Sequence, residues 1–154
     1  MSTATQAALE EDFRCQLQDF GLQFDTVTGL PNQIAFRASV RRMLDRAHTS
    51  GQEIALLWVD LLNLRREYSI GGDEAADRLA CVVADGLRPW VDVGELICRF
   101  SDHSFLLALK RDGRTTERLG MIIEAVSQFR SRGSEGKPEI AAGEIGRASC
   151  RERV

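Results

Sequence analysis

Residues 95–110 read ELICRFSDHSFLLALK, two apolar runs at 95–100 and 105–110 around the polar tetrapeptide Ser101-Asp102-His103-Ser104. This is the pattern of a β-hairpin closed by a four-residue turn. Neither run alternates cleanly between apolar and polar positions, so both strands are expected to be covered on both faces. Upstream, Glu53–Leu61 reads EIALLWVDL, a third apolar run with the carboxylate of Asp60 near its end. It reads as a central strand that delivers Asp60 to the end of a sheet.

Helical periodicity surrounds these strands. Residues 25–36, DTVTGLPNQIAF, are punctuated by Gly29 and Pro31, and Asn32 can start a helix that runs to about His48. Ile34, Val40, Met43, Leu44 and Ala47 form its expected apolar face, Arg41, Arg42, Asp45 and Arg46 its solvated one, and residues 49–51 end it. A polar stretch to Ser69 precedes the Gly71-Gly72 break. Ala75, Ala76, Leu79, Val82, Val83 and Leu87 then predict a helix that stops before Pro89. A further helix over about 115–129 turns Leu119, Ile122, Ile123 and Val126 inward, residues 130–137 read as a loop, and a strand starts at Ile140. At the N-terminus Leu9, Phe13, Leu17, Phe20 and Phe24 lie on one helical stripe. That helix, residues 1–24, either packs on its own domain or forms a dimerising coiled coil. The order α, α, β, α, β, β, α, β describes a mixed α/β sandwich.

A chain of 154 residues, 44% hydrophobic and 28% charged, suits one domain with its own core. Twenty basic against 23 acidic residues give a net charge of −3, so no basic field exists to hold a nucleic-acid backbone. No apolar run approaches the roughly 20 residues of a membrane-spanning helix. The N-terminus lacks the basic start and apolar stretch of a secretory signal, which points to a cytoplasmic location. Cys15, Cys81, Cys98 and Cys150 form no C-x-x-C pair and read as reduced packing thiols. Trp58 and Trp90 are expected in the core and His48 at a helix end.

Residues 144–154, EIGRASCRERV, follow no fold logic. The string resembles one reading frame of a common short-read sequencing adapter, and such tails are set aside in fold reasoning. The expectation is a globular domain over residues 25–143, cut short because the natural chain continues past Gly143.

Three motifs now resemble the GGDEF family, the diguanylate cyclases that join two GTP molecules into cyclic di-GMP. The opening pattern D-x-L-T-G-L-x-N-R-x-x-F is met by Asp25, Thr28, Gly29, Leu30, Asn32 and Phe36, with Val27 for Leu and Gln33 for Arg. The pattern D-h-D-x-F-K-x-h-N-D-x-x-G-H-x-x-G-D aligns without gaps over residues 60–77, and the hairpin R-x-G-G-D-E-F over residues 99–105. The string GGDE at residues 71–74 is a decoy, because it falls in the second block rather than in the hairpin. The resemblance implies an α/β (α+β) fold, a nucleotidyl-cyclase and polymerase-palm-like central, mainly antiparallel sheet flanked by helices, here without its last strands.

The resemblance also implies a site, and this chain departs from it. In the family, divalent metal ions held by carboxylates neutralise the triphosphate and help activate the attacking 3′-hydroxyl. Asp60 matches one ligand. The opposing acid is His103, a poor ligand for magnesium, and the two glycines are Ser101 and Asp102, which add side chains and a negative charge beside phosphate. The next acid is Ser104; only Phe105 survives. Of the base-recognition pair Asp77 is kept, but the Asn is Tyr68, and the family's Lys is Arg65. The product-inhibition motif R-x-x-D falls on residues 92–95, where no arginine stands. Asp60, Asp102 and His103 are a weaker candidate set for zinc or manganese.

The expected function is a degenerate regulatory or interaction module in cyclic di-GMP signalling, contacting a protein partner, a C-terminal EAL phosphodiesterase domain, or a second copy through the N-terminal helix. No catalytic residue is assigned to the hairpin; Arg65 and Asp77 are nucleotide-binding remnants and Asp60 a metal-binding remnant. Alternatives are an active cyclase, or a domain that binds GTP with Mg²⁺ without turnover.

Overall fold

The computed structural model describes residues 23–128 and 138–148, with side chains of the last strand described through Glu144. The expected N-terminal helix and the loop at 130–137 therefore lie almost wholly outside the described residues. Helix α1, Gln33–Ser50, starts where Asn32 Oδ1 accepts the Ala35 backbone N–H at 3.0 Å, an N-cap as expected. It ends at Gly51, whose φ of 72° is the left-handed conformation that glycine adopts without a Cβ penalty. Strand β1, Glu53–Leu61, leads to helix α2, Leu64–Leu87, and a short 3₁₀ turn at Arg88–Trp90. Strands β2, Leu96–Ser101, and β3, Ser104–Arg111, form the hairpin, followed by helix α3, Thr115–Gln128, and strand β4, Ile140–Ala148.

The sheet order is β2-β3-β1-β4 and every pair is antiparallel, so the mainly antiparallel fold is as the family resemblance implied. β1 is central: Asp60 stands opposite Ser104 on one side and Ala141 on the other. Alternation along β1 sorts its side chains between two layers. Leu57, Val59 and Leu61 join the main core with Leu79, Val83 and Leu87 of α2, Phe105, Leu107 and Leu109 of β3, and Ile122 of α3. On the other face, Ile54 packs with Phe36, Met43 and Ala47 of α1, while Leu56 and Trp58 lie half-buried against that cluster.

Five expectations are corrected. Residues 64–70 are helical rather than a polar loop; α2 starts at Leu64, buries Glu67, and bends at Gly72. The hairpin turn is two residues, Asp102-His103, because strand pairing extends to Ser101↔Ser104. No non-glycine residue among the described residues has positive φ; the register irregularity between Arg99 and Ser101 accommodates the turn instead. Six successive residues of β3, from Ser104 to Leu109, are buried as expected, but β2 is an edge strand and only Cys98 and Arg99 are buried in it. On α1, Ile34 is 66% and Leu44 36% exposed, and Phe36 takes the inward place. Spacings of four, three and four put Phe36, Val40, Met43 and Ala47 on one stripe, while Ile34, two positions from Phe36, falls well round the helix. Trp58 and Trp90 are half-buried beside the two clusters rather than within them.

Candidate functional site

The carboxyl-terminal end of β1, the hairpin turn and the first half of α2 meet around a cleft of about 470 Å³. Leu61, Leu62, Leu64, Arg65, Tyr68 and His103 line it, together with Asp73, Ala76, Arg99 and Asp102. Backbone geometry brings the hairpin here: Leu61 N–H donates to the His103 carbonyl at 2.7 Å, which holds the turn against the end of β1.

Asp60 is not among the cleft's lining residues. Two residues before Asp60 and on the same strand face, Trp58 donates its indole Nε1–H to Asp60 Oδ1 at 2.8 Å. The Trp58 ring meets Phe100 edge-on with centroids 5.0 Å apart. Opposite Asp60, the fully buried Ser104 hydroxyl contacts the Ser101 hydroxyl, and Ser101 Oγ lies 3.5 Å from His103 Nδ1. Among the described residues no three His, Cys, Asp or Glu side chains converge as a metal ion requires, so Asp60, Asp102 and His103 do not form the expected alternative set. This donor set does not fit magnesium, which takes hard oxygen ligands, usually carboxylates, in octahedral geometry.

The turn is tied to the start of the domain by Arg99, whose side chain is only 8% exposed. Its Nη1 donates to Asp25 Oδ2 at 3.2 Å and its Nη2 to the Asp102 carbonyl at 2.9 Å. Asp25 also accepts the Thr28 backbone N–H at 2.8 Å and the Thr28 hydroxyl at 2.6 Å. Burial alone would raise the Asp25 pKa; the Thr28 hydrogen bonds and the Arg99 charge outweigh it and hold the carboxyl below its usual range.

The two residues expected from the resemblance to be nucleotide-binding remnants separate. Arg65 lines the cleft beside Tyr68, which is 55% exposed, whereas Asp77 lines a different cavity with Val27, Glu74 and Cys81. GGDE at residues 71–74 lies at the bend of α2, where Gly72 has φ 69° and ψ −160°.

Residues 92–95 hold a buried ion pair. Glu95 accepts from Arg118 Nη2 at 2.6 Å and Nη1 at 2.9 Å, from Asp92 N at 2.9 Å and from Lys110 N at 2.9 Å. Arg118 also donates to the Trp90 carbonyl and pairs with Asp92 at 3.6 Å. Sequence reasoning missed both Trp58 and Arg118. Trp58 was legible from strand alternation, which places it on the face of Asp60; Arg118 reaches Glu95 from a separate helix, and no local spacing announces that.

The three motifs occupy the turn into α1, the end of β1 with the bent first half of α2, and the hairpin; part of the second is helical where a loop was expected. The family profile described as "Diguanylate cyclase, GGDEF domain" matches residues 22–153. The chain belongs to the GGDEF family. Among curated relatives, diguanylate cyclase DgcP of Pseudomonas aeruginosa is 28% identical over 85 residues, 55% of this chain but 13% of DgcP. The chain thus spans about an eighth of that relative's length. Among solved structures, the coiled coil and GGDEF domain of DgcB from Caulobacter crescentus, in complex with c-di-GMP, is similar at a TM-score of 0.75 and 21% identity. The match covers 92% of this chain and 78% of that one. The S helix-GGDEF-EAL portion of Vibrio cholerae LapD, bound to c-di-GMP, matches at 0.66 and 18% identity over 93% of this chain and 32% of that one. The GGDEF assignment ties the chain to cyclic di-GMP signalling. No helix among the described residues is long and apolar enough to cross a membrane.

Proposed function

We propose that this GGDEF domain is catalytically incompetent and serves as a regulatory or interaction module in cyclic di-GMP signalling. One observation carries the reading: Ser104, not a carboxylate, stands opposite Asp60 across the strand pair, and the Asp60 carboxylate is engaged by the Trp58 indole. Phosphoryl transfer between two nucleotides depends on charge neutralisation at the phosphates. With His103 in the acid position and Asp102 beside it, the hairpin supplies no such neutralisation. Tyr68 in place of a compact amide, and Asp77 in a separate cavity, weaken guanine recognition and with it the GTP-binding alternative. An active cyclase would require an acid at residue 103.

LapD, whose solved portion joins a GGDEF to an EAL domain, supports a natural chain that continues into an EAL domain with this domain as its regulatory half. The test is incubation of the length-restored protein with GTP and Mg²⁺ or Mn²⁺, followed by chromatographic detection of cyclic di-GMP. No product is expected; clear turnover overturns the reading.

A further inference from the structure

Helix α1 carries Arg37, Arg41, Arg42 and Arg46 against the single Asp45, net +3 in a chain of net charge −3, which leaves −6 on the rest. None of the four arginines has a carboxylate within ion-pair distance among the described residues. Two of them, Arg42 and Arg46, are one helical turn apart and line a second cleft of about 560 Å³ between α1 and the sheet. Lys110 of β3 lines it too, and the lining includes no acidic residue. Arg42 Nη2 donates to Ser39 Oγ at 3.2 Å and Lys110 Nζ to the Val93 carbonyl at 2.9 Å, so both cations are oriented without being neutralised. Met43, Ile54 and Leu96 supply apolar lining. Leu96 belongs to the edge strand β2, which among the described residues meets another backbone segment on its outer side only at Arg99, through Pro31-Asn32.

Cations facing an apolar surface beside an open strand edge select for shape as well as charge. We propose that this cleft docks an extended acidic segment of a partner protein, its carboxylates on Arg42, Arg46 and Lys110 and an aliphatic side chain among Met43, Ile54 and Leu96. The proposal rests on the interaction-module reading and names the chemistry of the partner; the cleft is distinct from the hairpin cleft. Charge complementarity favours it, because α1 carries net +3 while the remaining residues sum to −6, and the cleft that its arginines line has no acidic side chain.

The test uses the full chain and a fluorescein-labelled acetyl-EELLEE-amide peptide, followed by fluorescence anisotropy. Saturable binding is expected, at least fivefold tighter than to acetyl-EESSEE-amide of equal charge, and weakening as NaCl rises. Arg42→Glu with Arg46→Glu is expected to weaken it at least tenfold. Arg37→Glu with Arg41→Glu, the same charge change at arginines outside the cleft lining, is expected to change it less than threefold. All four side chains are solvent-exposed, and far-UV circular dichroism checks that the variants fold. No binding, equal binding of both peptides, or equal loss in both double variants overturns the proposal. So does displacement of the peptide by inorganic pyrophosphate at equal or lower concentration, which would make the cleft a small-anion site. The cyclase assay is independent of this readout, so failure of either reading is visible without the other.

Discussion

Glu95 shows how a position that aligns with a ligand-binding motif can become internal structure. Its side chain is 2% exposed, and burial alone would raise its pKa. The bidentate Arg118 guanidinium and the backbone N–H groups of Asp92 and Lys110 reverse that and hold it below its ordinary value of 4.5. A carboxyl whose folded pKa lies below its unfolded one stabilises fully above the unfolded value, and the contribution is lost as pH falls through the folded one. Glu95→Gln is therefore expected to cost about 3 kcal/mol at pH 7, since it leaves Arg118 without its buried partner. The wild-type advantage should shrink as pH falls below about 4.5. Asp25, whose pKa is lowered in the same direction, is present in both proteins and cancels. Urea unfolding of both at pH 7 and pH 3 checks this; a gap that ignores pH would mean that Glu95 acts through packing alone. Residue identity made the erosion of the hairpin legible, since Ser101, Asp102, His103 and Ser104 are read off directly. Which carboxylate each cation reaches was not, because Arg99–Asp25 and Arg118–Glu95 join residues 74 and 23 positions apart.

Strands and caps were readable because their signals are local. The apolar run of β1 and the Asn32 and Gly51 ends of α1 specify those elements wherever they pack. α2 was half-legible: Arg65, Arg66, Glu67, Tyr68 and Ser69 read as a polar loop, yet burial of Glu67 and packing of Leu64 on the core give this segment a helical inward face. The Gly71-Gly72 break was visible, but it bends a helix rather than preceding one. Glycine chemistry at these positions predicts opposite outcomes within one domain. Gly72, with φ 69° and ψ −160°, occupies backbone space closed to L-residues, so Gly72→Ala is expected to cost about 1–3 kcal/mol. Gly120 lies within α3, exposed, with nothing within 4 Å of an added Cβ, so Gly120→Ala is expected to stabilise by about 0.5–1 kcal/mol. Urea midpoints for the two variants check both signs. A neutral Gly72→Ala would mean that the bend relaxes into a continuous helix, which far-UV circular dichroism would register as added helicity.

At the scale of the molecule, β4 is the strand that contains the junction expected after Gly143. It pairs with β1 from Ile140↔Leu61 to Ala148↔Ile54, but the register breaks between Leu57↔Glu144 and Leu56↔Gly146, so Ile145 is skipped. The break falls two residues after Gly143, close to the junction proposed from the sequence. Before the junction, Ile140 and Ala142 pack against the main core. Glu144 instead pairs with Arg111 at 2.6 Å, and Arg111 also pairs with Glu53 at 3.5 Å. Ladder hydrogen bonds come from backbone groups that almost any sequence carries, so pairing of residues 144–148 with β1 does not require that they be native. We propose that they are not, and that the source gene diverges from EIGRASCRERV after the Gly143 codon. A native continuation should restore residues that pack on the same core and cover the outer edge of β4, because an uncovered strand edge invites association. Sequencing the gene through that codon decides it: genomic sequence encoding EIGRASCRERV overturns the proposal. A continuation into an EAL-type domain would make this module the regulatory half of a longer protein.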